Sequence, residues 1–302
     1  MAFELRSLKP GFAAEIAGLD LRAVDDRVIL ERLRAAMDEF AVCVFRDQPF
    51  DDETQMAFAM RFDGTLHAKT GRGAVEGDRR RLPAREMTDI SNLDEHGKPL
   101  DAADSRRIQG LANRLWHTDA SFTEPPGHYS MLSARGTLPP SGGETEYADM
   151  RAAYDALPAD LKAQIEDLRA FHSIVYSRMT IGFDYTPEQK AMLPGAVQPL
   201  VRVNPRTGRK SLYIASHASH IVGWPIPEAR LLLQELMAYA TLPQFVYRHT
   251  WLERDFVIWD NFATMHRGRA FDESYPRDMR RVTTLAAPEA AEPNPLAANV
   301  PA

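Results

Sequence analysis

The chain holds a single cysteine, Cys43, so no internal disulfide can form. Cys43 sits in the apolar run Ala41-Val42-Cys43-Val44-Phe45 and reads as a buried strand thiol, not a nucleophile. With so few thiolates, a structural zinc site built on cysteines is excluded. No stretch approaches the ~18 uninterrupted apolar residues of a membrane-spanning helix. The start, Met1-Ala2-Phe3-Glu4-Leu5-Arg6, carries no basic segment followed by an apolar one. These absences set the expectation of a cytoplasmic protein in a reducing compartment, with no membrane partner. Positive charge is not in excess either. The net charge of −6 disfavours a nucleic-acid partner while leaving room for a local basic pocket. No repeat of fixed period appears.

What is present is an ordinary globular composition, 44% hydrophobic with scattered charge, on a chain of 302 residues that suffices for a large core. Val28, Leu30, Leu33, Ala36, Met37 and Phe40 recur at helical spacing and predict a helix over 26–41. Ala41–Phe45 reads as a strand. Asp51-Asp52-Glu53-Thr54 opens a second helix that runs to about Phe62. Residues 63–86, with Gly64, Gly71, Gly73, Gly77 and Arg79-Arg80-Arg81, read as a long loop, either a lid or a surface insert. Short strands are predicted at 87–91, 129–134, 145–147, 200–203, 211–214, 246–251 and 255–259. Helices are predicted at 149–156, 158–170 and 227–239. The tail 288–302, rich in Ala and Pro, reads as disordered. Many short strands with a few helices suggest a β sandwich or jelly roll. We expect one domain over 1–287, mainly β, with a helical insert at about 149–240.

The chemistry is concentrated in Trp116-His117-Thr118-Asp119, answered far downstream by Trp259-Asp260-Asn261 and His266. In an extended segment, side chains two apart leave one face, so His117 and Asp119 can reach one metal. A third ligand almost half the chain away rules out a local metal loop. Two imidazoles and one carboxylate form the ligand set that holds non-haem Fe(II) on one face and leaves the other open. Arg277 lies eleven residues after His266, and Arg281 four further on. If 277–284 is a strand, both guanidinium groups share a face and read as receptors for two acid groups. The alternative is a solvated basic patch, since Arg267, Arg269 and Arg280 crowd the same stretch. His217-Ala218-Ser219-His220 is a rival pair, because on a helix residues three apart share a face and could bind zinc. His172, between Phe171 and Ser173, reads as a core or pocket-wall residue.

The ordered set of motifs resembles a known family. It comprises Trp116-His117-Thr118-Asp119-Ala120-Ser121-Phe122, Ser141-Gly142-Gly143-Glu144-Thr145, Ala148-Asp149-Met150-Arg151-Ala152-Ala153-Tyr154, Trp259-Asp260-Asn261 with His266-Arg267-Gly268, and Arg277 with Arg281. Together these are similar to the taurine dioxygenase and 2,4-dichlorophenoxyacetate dioxygenase family of Fe(II)/2-oxoglutarate enzymes, nearest its aryloxyacetate branch. The resemblance spans about Gly18 to Leu285. It implies a double-stranded β-helix (jelly roll, cupin-like) core with helical insertions. It implies that His117, Asp119 and His266 bind Fe(II), that Arg277 and Thr145 hold the far carboxylate of 2-oxoglutarate, and that O2 is the co-reactant. Arg281 would take the acid group of a small anionic aromatic substrate, with Lys98 and Lys69 beside it. Hydroxylation next to an aryloxyalkanoate's ether oxygen would then release a phenol and glyoxylate, with succinate and CO2 from the cosubstrate. The sequence departs from the branch at Ala120, where a serine follows the ligand aspartate, and in the 63–86 loop. An alkylsulfonate such as taurine needs a similar cationic clamp and stays open as substrate. A jelly-roll binding protein without turnover and a zinc hydrolase are the other classes. Nothing in the sequence decides whether the chain forms a homo-oligomer.

Overall fold

The apolar stripe of the first long helix explains where it sits. The structure, a computed structural model, describes residues 3–68 and 81–287. The expected tail, Lys69 and half of the 63–86 loop, residues 69–80, fall outside the described residues. Helix α1 (Arg27–Phe40) starts where the Asp26 side chain accepts from Val28 N–H, and stops at Ala41, whose φ of 57° is left-handed. Ile29, Leu30, Leu33, Ala36, Met37 and Phe40 face inward. Val28, counted in the predicted stripe, is instead solvent-facing. Helix α2 (Asp52–Asp63) is opened by a reciprocal cap in which Thr54 N–H donates to Asp51 and Asp51 N–H donates to the Thr54 hydroxyl. It buries Phe58, Ala59 and Phe62, and its Gln55 amide donates to the carbonyls of Met131 and Arg280.

Both helices lie on the outer face of a seven-stranded sheet, ordered β1-β2-β3-β13-β5-β15-β4. Its strands are β1 (Glu4–Lys9), β2 (Ala13–Ala17), β3 (Val42–Phe45), β4 (Thr88–Asp89), β5 (Gly127–Ala134), β13 (Phe256–Asp260) and β15 (Met279–Leu285). All pairs are antiparallel except β2 with β3. A second sheet, β12-β6-β14, is built from β6 (Thr145–Asp149), β12 (Val246–His249) and β14 (Thr264–Gly268). Between the sheets lie Tyr147 from β6, Val257 and Trp259 from β13, Leu132 from β5 and Met279 from β15. Side chains alternate along each strand, so Met279 and Arg281 turn toward this interior while Arg280 and Val282 turn toward α2. Two facing, mainly antiparallel sheets with helices outside make the jelly roll expected from the motifs.

The insert between β6 and β12 is mixed, not purely helical. It holds a three-stranded sheet β11-β7-β8 and a β9–β10 pair (Val201–Val203 with Lys210–Leu212) beside five helices. Its strands β7 (Arg169–His172), β8 (Ala196–Pro199) and β11 (Ala218–Ile221) are too short to show a period. The long helix Ile226–Ala240 packs Leu232, Leu233 and Leu236 into a cluster that reaches Ala148 and Met265 on the back of the small sheet. Among the described residues no helix is long and apolar enough to cross a membrane.

Candidate metal centre

A single two-residue bridge closes the site. His117 N–H donates to His266 O (3.0 Å) and His266 N–H returns to His117 O (2.7 Å), which holds the two rings 4.2 Å apart. His266 lies in β14, but His117 is in no strand, and Asp119 already begins a turn whose next residue, Ala120, has φ 52°. The expected extended segment is therefore only a bridge and a turn. The turn still delivers the carboxylate. His117 Nε2 is 3.8 Å from Asp119 Oδ1, and His266 Nε2 is 3.6 Å from Oδ2. One donor atom from each of the three side chains lies within 4.8 Å of the others, and all three residues are buried.

The surroundings suit a divalent cation. His117 Nδ1 sits 2.8 Å from Leu115 O, so that nitrogen carries the proton and Nε2 presents its lone pair. Burial lowers the pKa of both imidazoles and keeps them neutral, as metal ligands must be. Burial pushes the Asp119 carboxyl up, but its neighbours, the Arg281 guanidinium foremost, outweigh it and hold the pKa at about 2. The Asp119 carboxylate is held from two sides: Ser130 Oγ donates to Oδ2 (2.7 Å) and Arg281 Nη1 donates to Oδ1. Two imidazoles and a carboxylate without thiolate fit ferrous iron better than a structural zinc.

Two cavities flank the centre and share Ile90, Gly110, Asn113, His117 and Arg281 in their walls. The first encloses about 880 Å³, mouth included, and contains Thr145 and Arg277. Arg277 is 8% exposed, and among the described residues its guanidinium donates to the carbonyls of Ile90 (3.3 Å) and Gly143 (3.2 Å). Among the described residues no carboxylate pairs with it, and burial lowers its pKa to about 10. Gly143 has φ +73°, and a Cβ there would sit 3.3 Å from Arg277 Nε. The Ser-Gly-Gly turn thus lets backbone approach the guanidinium. The Thr145 hydroxyl accepts from Trp251 Nε1 (3.0 Å), which leaves its proton for an acceptor. At the mouth, Glu273 is bound by Arg107 and Arg114.

The second cavity, about 760 Å³, is walled by Asp119, Ala120, Phe122, Ile174, Arg178, His217, His67 and Thr283 among others. Of the residues expected near a substrate acid group, Arg281 lies in both walls but is engaged with Asp119. Lys98 is exposed on the turn closed by Asp94 N–H to Lys98 O, and lines neither cavity. Lys69 lies outside the described residues. His217 and His220 are not on a helix: His217 sits in a turn, and His220 lies in β11, which begins at Ala218. His217 is buried, 3.1 Å from Ser121 Oγ, and faces the second cavity, whereas His220 packs on Phe171. His172 is fully buried against Tyr213 and lines neither cavity. Cys43 is buried in β3 and its pKa is pushed up to about 12, which leaves it inert. Sequence reading missed Arg178 and His67, which carry no recognisable spacing. It quoted Asn261 without a role, although its place in a motif was a usable signal.

Comparison with known proteins is consistent with this geometry. The pattern described as "Taurine catabolism dioxygenase TauD, TfdA family" matches residues 4–283. The alpha-ketoglutarate-dependent 2,4-dichlorophenoxyacetate dioxygenase of Cupriavidus pinatubonensis is 45% identical over 289 residues, covering 94% of this chain and 98% of that one. The (S)-phenoxypropionate/alpha-ketoglutarate-dioxygenase of Sphingobium herbicidovorans is 36% identical, covering 92% and 93%. Among solved structures, AAD-2 in complex with Mn(II) and N-oxalylglycine superposes with a TM-score of 0.89 at 46% identity, over 95% of this chain and 99% of that one. A taurine dioxygenase from Burkholderia xenovorans gives 0.73 at 29% identity, over 94% and 90%. The chain belongs to the TauD, TfdA family and is a 2-oxoglutarate-dependent dioxygenase.

Proposed function

We propose that the enzyme hydroxylates an aryloxyalkanoate acid at the carbon next to its ether oxygen. The observation that carries this reading is the His117, Asp119 and His266 cluster, placed where a cavity holding an anion-deficient Arg277 meets one walled by Phe122 and Ile174. Ferrous iron, when bound, supplies the oxygen chemistry that couples 2-oxoglutarate decarboxylation to oxidation of a C–H bond. The chain's own residues do the rest. His117, Asp119 and His266 would hold the metal. Arg277 and Thr145 receive the far carboxylate of 2-oxoglutarate, which orients its other end toward the metal. Arg281 reaches both cavities with a five-donor guanidinium and serves the substrate's acid group while steadying Asp119. Phe122, Ile174 and Ala120 offer an apolar wall to an aromatic ring. The product, hydroxylated at the ether carbon, collapses to a phenol and a 2-oxo acid, glyoxylate when the substrate is an aryloxyacetate, while the cosubstrate leaves as succinate and CO2.

The relatives named for phenoxy acids are more similar to this chain than the taurine dioxygenase is. The test is succinate release, with Fe(II), 2-oxoglutarate and O2, on addition of phenoxyacetates or of taurine. We expect phenoxyacetates to stimulate succinate release and to yield a phenol. Stimulation by taurine alone would replace the substrate class and leave the cosubstrate reading intact.

A further inference from the structure

Asn261 belongs to the Trp259-Asp260-Asn261 motif yet touches neither cavity. It is fully buried, at the end of β13, and its amide can point only one way. Its Oδ1 lies 3.0 Å from the Asp119 main-chain N–H and 3.1 Å from Trp259 Nε1. Both of those groups are obligate donors, so the oxygen must face them. Thr118 Oγ1 is closer to the Asn261 carbonyl (2.7 Å) than to Oδ1 (3.2 Å), and its single proton goes to the carbonyl. Nδ2 is then turned onto Ser130 Oγ at 2.9 Å, and it can only donate.

That donation sets the direction of every bond at Ser130. The hydroxyl has one proton and two lone pairs. One lone pair is taken by Asn261. The nearest strong acceptor is Asp119 Oδ2 at 2.7 Å, and it receives the proton. Thr283 Oγ1, 2.9 Å away, must therefore donate into the second lone pair. Thr283 lines the second cavity, so the relay runs from that cavity's wall to the carboxylate. Asn261, Ser130 and Thr283 are all buried, and no water is needed to complete the set.

We infer that Asn261 is a positioning residue for the metal site: it orients Asp119 from both ends, by accepting its main-chain N–H and by donating to Ser130 in a way that leaves that hydroxyl's proton directed at Oδ2. The carboxylate is thereby held in the rotation that turns its oxygens to His117 and His266. This rests on the metal-binding reading of those three side chains.

The test uses metal-free full-length protein titrated with Mn(II) by calorimetry, with the thermal midpoint of each variant recorded alongside. Asn261→Asp preserves shape but replaces the donor to Ser130 by an acceptor, so Ser130's proton is drawn away from Asp119. Ser130→Ala removes the proton outright. Both are expected to lose ~10–100-fold in Mn(II) affinity, and together to lose no more than the worse of the two. Asn261→Ala leaves Ser130's proton available and should lose less than Asn261→Asp, the reverse of what a packing role would give. If Asn261→Asp does not fold, Ser130→Ala carries the test alone. Folded variants that bind Mn(II) as the native chain does would overturn the inference, as would a larger loss for Asn261→Ala. A native chain that binds no Mn(II) would instead overturn the metal reading itself.

Discussion

Replacing Arg277 by methionine separates cosubstrate recognition from stability. Methionine keeps much of the aliphatic stem beside Gly143 and removes the guanidinium, with its charge, its two hydrogen bonds to carbonyls and its place over the Phe271 ring. In the chain without cosubstrate, the guanidinium is buried with two carbonyl acceptors and no carboxylate partner among the described residues. Its pKa, lowered by burial to about 10, shows that the charged form is held at a cost. A dicarboxylate whose far end reached Arg277 would relieve that cost through a forked, charge-assisted pair. Losing such a pair at a desolvated site costs about 2–5 kcal/mol, a factor of roughly 30 to several thousand in affinity. We therefore expect Arg277→Met to bind 2-oxoglutarate at least about thirtyfold more weakly. Its thermal midpoint without ligand should stay level or rise, since an unpaired buried charge has gone. Anaerobic titration of the Fe(II)-loaded protein, following the weak visible band expected when the keto acid chelates iron, measures the first quantity. Thermal unfolding of the metal-free protein measures the second. An unchanged dissociation constant would refute the assignment. A large fall in midpoint with unchanged affinity would make Arg277 a structural residue only.

Two further outcomes follow from the same geometry. Asp119 has a depressed folded-state pKa, about 2 against an ordinary 3.8, so its ionised form contributes stability above pH 3.8 and loses it as the pH falls toward 2. That shift is worth about 2 kcal/mol, and denaturant unfolding of metal-free protein should lose less stability in this window for Asp119→Asn than for the native chain. Equal acid sensitivity would show that Asp119 is not specially stabilised. Gly143→Ala strains a backbone at φ +73° and presses on the Arg277 guanidinium, so it should lower stability by about 1–2 kcal/mol and weaken 2-oxoglutarate binding as well. A variant that loses stability but binds 2-oxoglutarate as before would place the turn's role in folding alone.

Much of the frame was legible without coordinates. The α1 stripe and the cap at Asp51 predict both outer helices to within a residue or two, because caps and periods are local properties. The strands at 129–134, 246–251 and 255–259 were legible for the same reason. The N-terminal pair β1–β2 was not, since half its residues are solvent-facing and its pattern is weak. The insert's three- and four-residue strands were largely hidden, because their partners, not their own residues, make them strands. In the site, the residue types were readable, but the segment expected to be a strand is a single bridge at His117 and a turn that begins at Asp119. A left-handed Ala120 ends the extension immediately after the aspartate. Arg281's grip on Asp119, the distance of Lys98 from both cavities and the wall contributed by Arg178 were invisible, since each depends on contacts between distant segments.

The order of amino acids alone determined which donors exist: two imidazoles and a carboxylate in a thiol-poor chain, with arginines placed downstream. That much follows from side-chain chemistry and short-range spacing. Only the folded arrangement decided which of these groups meet. The bridge between His117 and His266, the register of β15 beside β5 and the hydrogen bonds of Asn261 bring remote segments to within a few ångströms. Side chains reach only that far, so convergence is a property of sheet pairing and packing, which no stretch of the chain encodes by itself.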